Sequence, residues 1–198
     1  MNSGTSSLRA STLGDALWPQ TRALKSTILV IGGSLALALS AKIQVPFWPV
    51  PMTMQSLMVL VIGFAFGSRL GAATLAAYLA EGFVGLPVFA GAVAGPLYMT
   101  GPTAGYLVGF LLSAAFIGWL AERGWSQSIG RASVAMVLGH VLLFVPGVLW
   151  LAVLFGWGKA IALGVTPFIA ATVLKTALGV AVVAALWAWV RRRQPTLR

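Results

Sequence analysis

The apolar positions of this chain fall into six long runs, each closed by a charge, a proline cluster or a polar segment. An uncharged stretch runs from Ser26 to Ala41 and is ended by Lys42 and by Pro46, Pro49 and Pro51. A second runs from Met52 to Gly67 and stops at Arg69; a third runs from Leu70 to Leu86. A Gly/Pro-rich connection, Pro87 to Pro102, leads to a fourth run, Thr103 to Leu120. Beyond the polar segment Glu122–Arg131 come a fifth, Ala132 to Phe155, and a sixth, Val165 to Val190. A membrane-spanning helix needs about 20 mostly apolar residues. The pattern therefore predicts an all-α membrane protein, a compact bundle of six transmembrane helices over residues 26–190. Residues 1–25 form a polar N-terminal segment and residues 191–198 a basic tail. No repeat of domain size is visible, so the bundle is read as one domain.

Six crossings put both termini on one side, and loop charge names that side. The terminal side holds Arg9, Arg22, Lys25, Arg69, Arg123, Arg131, Arg191, Arg192, Arg193 and Arg198, whereas the opposite side holds only Lys42 and Lys159. The termini are accordingly expected to be cytoplasmic, in the cell (inner) membrane. Arg22 and Lys25, the apolar run and Ala38-Leu39-Ser40 imitate a secretory signal. With five further runs behind it, the segment reads as a retained first helix.

Glycines spaced by four, Gly63/Gly67/Gly71 and Gly101/Gly105/Gly109, place small residues on one helical face, where a second backbone packs closely.

Composition supports the membrane reading. Hydrophobic residues make up 59% of the 198 positions and charged residues 8%, too few polar groups to cover a soluble globule. The net charge of +10 would suggest nucleic acid if the cations clustered on a soluble face. Loop topology accounts for it instead, so no nucleic-acid partner is expected and the lipid bilayer is. The absence of cysteine removes disulfides and thiolate metal sites.

Soluble-enzyme chemistry finds little material. There is no phosphate-binding Gly-x-x-x-x-Gly-Lys-Ser/Thr loop, no His-Glu-x-x-His pair and no Gly-x-Ser-x-Gly elbow. Three acids and one histidine leave no paired-carboxylate or His-rich site. No catalytic residue, cofactor or metal is expected, and His140 reads as a packed histidine. The informative groups are polar ones at membrane depth. Lys175 lies about ten residues into the sixth run, where a charge costs about 2.5–3.5 kcal/mol. Two roles are open to it: an ion pair with Glu81, or an anchor for a ligand carboxylate or carbonyl. Glu81 itself either snorkels or serves a site. Thr53 and Gln55 follow the proline cluster. A buried glutamine donates and accepts at once, which suits an amide or urea, and equally a cap or an interhelical bond. The outer ends 46–55, 87–106 and 159–175 hold seven of the ten prolines and two of the three tyrosines, with Trp48 and five glycines beside them. They predict a small-molecule pocket near the outer face, with Trp48, Tyr98 and Tyr106 as candidate walls.

Four ordered segments carry a family resemblance. They are Pro46-Phe47-Trp48-Pro49-Val50-Pro51-Met52-Thr53-Met54-Gln55; Gly85-Leu86-Pro87-Val88-Phe89-Ala90-Gly91; Gly101-Pro102-Thr103-Ala104-Gly105-Tyr106-Leu107-Val108-Gly109-Phe110; and Pro167-Phe168-Ile169 followed by Lys175. Gly147-Val148-Leu149-Trp150-Leu151 adds a fifth, weaker match. The set, in order over about residues 26–190, resembles BioY, the biotin-binding S component of energy-coupling-factor transporters. The resemblance implies capture of biotin from outside by a six-helix protein. A separate transmembrane coupling protein and ATPase subunits would supply the energy. Oligomers are described for some members, so a homo-oligomer is a further expectation. The substrate-binding residues it implies are Lys175, Gln55, Thr53, Tyr106, Thr103, Gly101, Glu81 and Thr172. A ligand-specificity alternative, another small vitamin, rests on one departure: Thr172 stands where the family motif carries Asp. Ala104 replaces a glycine in the third motif, a milder change. A membrane-embedded enzyme is the other alternative, weakened by the shortage of acids, histidines and cysteines. S components use a small-residue face of the first helix to dock their coupling protein, which makes Ser34/Ala38 and Ala36/Ser40 candidates, with internal packing as the alternative.

Overall fold

The computed structural model describes Thr12 and residues 23–193. Arg9, Arg22 and Arg198, three of the cations assigned above to the terminal side, lie outside the described residues.

The described chain is mostly helical. Its elements are α1 (Ala23–Lys42), β1 (Gln44–Val45), β2 (Met52–Thr53), α2 (Gln55–Phe83), α3 (Pro96–Met99), α4 (Ala104–Glu122), α5 (Ile129–Phe155), α6 (Trp157–Gly164) and α7 (Ile169–Arg193). Single 3-10 turns, Trp125–Gln127 and Thr166–Phe168, precede α5 and α7. β1 and β2 pair antiparallel, Gln44 opposite Thr53 and Val45 opposite Met52. This short ladder occupies the proline-rich break between the first two runs.

The second and third predicted spans are two arms of α2. Gly67 interrupts it at φ 80° and ψ 179°, a conformation that a Cβ strains and glycine tolerates. The arms fold back on each other. Gln55 and Tyr78 are 23 positions apart, about 34 Å along a straight helix, yet their side chains hydrogen-bond at 2.6 Å. The turn is held by Glu122, whose Oε1 accepts from the Ser68 backbone N–H and hydroxyl, both at 2.7 Å. The helical arms stop short of the predicted limits, because β2 takes Met52 and Thr53 and a turn begins at Val84.

Four stretches among the described residues are long and apolar enough to cross a membrane: 55–83, 104–122, 129–155 and 157–193; the apolar part of α1, 26–42, is shorter. The difference from six runs lies in α2, which holds two of them, and in α1. Large apolar side chains such as Leu39, Val153 and Leu174 stand exposed along the helices, a surface suited to lipid rather than water.

α4 is the centre of the packing, and glycines permit its close approaches. A Cβ at Gly63 would lie 2.8 Å from the Ala114 carbonyl oxygen, and one at Gly118 would overlap the Gly67–Ser68 backbone. On its other side α4 meets α5: a Cβ at Gly105 would overlap the Pro146 carbonyl, and one at Gly109 the Leu143 carbonyl. The glycine spacing thus serves internal packing, although Gly101 precedes α4 and a Cβ there would meet only the Leu97 and Tyr98 backbone.

The same holds for α1. Ser34 and Ser40 are turned inward, at 1% and 4% exposure, so neither Ser34/Ala38 nor Ala36/Ser40 forms an outward small-residue face. Ser34 donates to Glu81 and Ser40 to the Leu37 carbonyl, while Ile28, Ile31, Leu35 and Leu39 form the outward stripe. At the far end of the chain, α7 buries one stripe spaced by about four, Lys175, Gly179, Val183, Trp187 and Val190. It begins at Ile169, because Pro167 sits in the preceding 3-10 turn. Lys175 therefore lies in the second turn of its helix, nearer the end than the apolar run suggested.

Candidate functional site

A small cavity opens where β2, the start of α2, the start of α4, the middle of α5 and the start of α7 converge. Thr53, Gln55, Thr103, Tyr106, Thr172 and Lys175 all line it. Six of the eight residues expected from sequence are thus brought into one space from separate parts of the chain.

The positions follow from local structure. Thr53 ends β2, and its hydroxyl accepts from the Gln55 backbone N–H at 3.2 Å, which satisfies the first backbone donor of α2. Gln55 then points inward, 4% exposed. Thr172 and Lys175, three residues apart on α7, share a face. Thr103 immediately precedes α4, and Tyr106 is in its first turn.

Lys175 is buried, and among the described residues no carboxylate stands beside it. Its Nζ donates to the Thr53 carbonyl oxygen at 2.6 Å and to Ser56 Oγ at 3.1 Å. Glu81 instead accepts from Ser34 at 2.8 Å, so the structure does not realise the Lys175–Glu81 ion pair. An ammonium carries three donors. Two are held by neutral acceptors, and the third is available to a group in the cavity. Neutral partners compensate only part of the cost of burying a charge, which makes this position attractive to an anion or a polarised carbonyl.

The apolar wall is aromatic. Tyr106 meets Phe144 edge-on at 5.8 Å, and Phe144 meets Phe168 at 6.0 Å. The Tyr106 hydroxyl is already committed to the Gly164 carbonyl at 2.8 Å, so this residue offers its ring. Tyr98 also lines the cavity. Burial pushes its phenol above the ordinary value, opposed by hydrogen bonds with the Thr103 side chain and the Ala90 backbone, so it is a neutral hydrogen-bonding group.

Three expected residues are elsewhere. Glu81 and Gly101 do not line the cavity. The Gly101 carbonyl accepts from Trp150 Nε1 at 2.9 Å, which pins the start of α4 to α5. Trp48 is 73% exposed and packs on Phe155, so it is not a wall. Conversely, Ser56, Leu143 and Phe144 line the site although no sequence motif points to them. Ser56 is the residue after Gln55 and could have been found as a polar neighbour; Leu143 and Phe144 carry no signal that separates them from ordinary core.

A larger groove, about 1260 Å³ with its open space, lies between α5 and α7. Its lining is mostly aliphatic, Val137, Val141, Val145 and Val148 among it, with few polar groups to orient a ligand, and the smaller cavity is therefore the candidate site. His140 borders this groove, 2% exposed, its Nδ1 3.0 Å from the Met136 carbonyl of the preceding helical turn, in keeping with a packed histidine.

Comparison with known proteins agrees in sequence and in fold. The BioY family model matches residues 10–192. The biotin transporter BioY of Rhizobium etli is 38% identical over 174 residues, which span 84% of this chain and 90% of that protein. The biotin transporter BioY2 of Lactococcus lactis subsp. cremoris is 32% identical over 173 residues, spanning 84% of this chain and 94% of its own. The crystal structure of the S-component for biotin from an ECF-type ABC transporter aligns with a TM-score of 0.70 at 22% identity, over 83% of this chain and 92% of that one, a likeness of fold.

Proposed function

The chain belongs to the BioY family, and from that premise we propose that it is the membrane-embedded substrate-binding component of a biotin uptake system. The observation that carries the reading is the single cavity into which Lys175, Gln55, Thr53, Thr103, Tyr106 and Thr172 converge. Biotin needs three things of a site: donors and acceptors for its ureido group, apolar walls for its fused rings and a positive group for its carboxylate. Gln55 and the threonines offer the first, the rings of Tyr106, Phe144 and Phe168 the second, and the free Lys175 donor the third. The role is capture and delivery, not catalysis.

The protein sits in the inner membrane with both termini cytoplasmic and the cavity toward the outside. The Gly67 turn rests on Glu122, and Trp187 Nε1 donates to Ser126. These contacts gather Arg69, Arg123, Arg131 and Arg191–Arg193 at one end of the bundle, as a cytoplasmic face rich in cations requires. Lys42, by contrast, ends α1 beside the β1–β2 ladder and binds the Phe89 and Gly91 carbonyls on the cavity side. Energy comes from a separate coupling protein with ATPase subunits, a partnership supported by the likeness to the S-component for biotin from an ECF-type ABC transporter. Self-association is a further property of this reading, tested by sizing the purified protein in detergent.

Equilibrium binding of biotin to the purified protein in detergent is the test. Saturable binding is expected; its absence from a folded sample would overturn the assignment. A second reading, capture of another small vitamin, is favoured by Thr172 alone, and competition of labelled biotin by other vitamins separates the two.

A further inference from the structure

Gln55 is one end of a hydrogen-bonded chain that leaves the cavity. Its Nε2 lies 2.6 Å from the Tyr78 hydroxyl, which lies 2.9 Å from the Val88 carbonyl oxygen. Tyr78 is on the second arm of α2 and is fully buried; neither it nor Val88 lines the cavity. Its ring is fixed from one side by Phe89, edge-on at 5.4 Å, and Phe89 fills a notch that a Cβ at Gly82 would occupy.

The direction of this chain follows from what each atom can do. A carbonyl oxygen only accepts, so the Tyr78 O–H must donate to Val88. With its one hydrogen committed, the Tyr78 oxygen can only accept, and the group facing it must be the Gln55 NH2. The amide oxygen is then turned to the other side, where Thr53 Oγ1 donates to it at 3.1 Å. Thr53 supports the same orientation, because its hydroxyl accepts from the Gln55 backbone N–H and keeps its hydrogen for Oε1. Orientation of a side-chain amide is read from its network in this way. A flipped Gln55 would leave the Val88 carbonyl without the Tyr78 proton or set two acceptors face to face.

We infer that Tyr78 is a specificity-determining positioning residue. It locks the Gln55 amide so that oxygen, not nitrogen, lies on the Thr53 side of the cavity, and the site therefore selects a ligand that brings an N–H. This rests on the biotin reading, in which the ureido group supplies that N–H, and adds a residue that never touches the ligand.

The experiment compares biotin with its two cyclic carbamate analogues, in which one or the other ureido N–H is replaced by a ring oxygen. Wild-type protein is expected to prefer biotin over at least one analogue by about tenfold or more, the effect of losing one buried hydrogen bond and setting the analogue's ring oxygen against the amide oxygen. In Tyr78→Phe the amide is free to turn, and the ratio should collapse toward one, with biotin losing affinity and the analogue losing none. A merely structural role would weaken both ligands alike and leave the ratio unchanged. Tyr78→Met, which fills the space without a ring or hydroxyl, must change the ratio in the same sense. In a Gln55→Leu background, Tyr78→Phe should no longer alter it. No saturable biotin binding by wild-type protein overturns the biotin reading and this assignment together. Wild-type binding with an unchanged ratio in both Tyr78 variants overturns this assignment alone.

Discussion

The Lys175 ammonium donates to the backbone carbonyl of Thr53 at 2.6 Å, across 122 positions of sequence. Thr53 closes the small β-ladder and Lys175 lies in the second turn of α7, so one bond ties the connection between α1 and α2 to the last helix. Both residues also line the cavity. The contact that holds the site together and the contact offered to a ligand therefore belong to the same ammonium group.

Lys175→Met should separate these two roles. Loss of one charge-assisted hydrogen bond, roughly 1.5–3 kcal/mol, lowers biotin affinity about ten- to hundredfold. Thermal stability in detergent should fall little, because removing a buried charge relieves its desolvation as two hydrogen bonds are lost. Equilibrium binding and melting curves on one preparation check both halves. Unchanged affinity would return Lys175 to a purely structural role.

Thr172→Asp would place a carboxylate on the Lys175 face of α7. An already buried cation gains a partner, so the melting temperature should rise. The gain should vanish when Lys175→Met is added, since the pair is then gone and the new charge is itself unpaired. A gain of equal size in both backgrounds would mean that the new carboxylate acts on something other than Lys175.

Gly67→Ala should destabilise the fold without altering the site. The backbone there has φ 80°, and a Cβ would meet Glu122 Oε1 at 2.8 Å. Strain of this kind costs on the order of 1–3 kcal/mol. The expected outcome is a lower melting temperature with unchanged affinity in the fraction that remains folded, measured by thermal unfolding and titration. A weaker affinity with normal stability would tie the turn to the cavity.

Gly109→Val should damage stability and binding together. Its Cβ would overlap the Leu143 carbonyl and force α4 from α5, and Leu143 is itself a cavity residue. Gly32→Ala is the control on α1: a Cβ there meets nothing within 4 Å, and both melting temperature and affinity should stay at wild-type values.

Much of this protein is legible in one dimension because the bilayer imposes a simple rule. Apolar runs must be long, and cations must gather in the loops of one side, so the helical class and the placement of most loops follow from counting. Thr53 and Gln55 were findable because polar groups at the ends of such runs need a reason to be there, whereas Thr103 and Thr172 came from the family resemblance of their motifs. The aromatic wall residue Phe144 was not, since within an apolar helix nothing in its identity distinguishes a cavity wall from core. Trp48 misled for the same cause: an aromatic residue in a loop serves a wall or a surface equally well until its neighbours are known.

The sequence by itself determined the long helical runs, though not the short helices α3 and α6, where the charges lie, that no soluble-enzyme chemistry is available and which polar side chains are held at depth. Only the tertiary structure decided their partners. It took Glu81 from Lys175 and gave it to Ser34, turned the small residues of α1 inward, and bent α2 at Gly67 so that Tyr78 meets Gln55. Hydrophobicity is a property of each residue and sums along the chain, so it can be read there. A hydrogen bond at 2.6 Å depends on the relative placement of two elements, and that placement is set by the close packing of helices against one another.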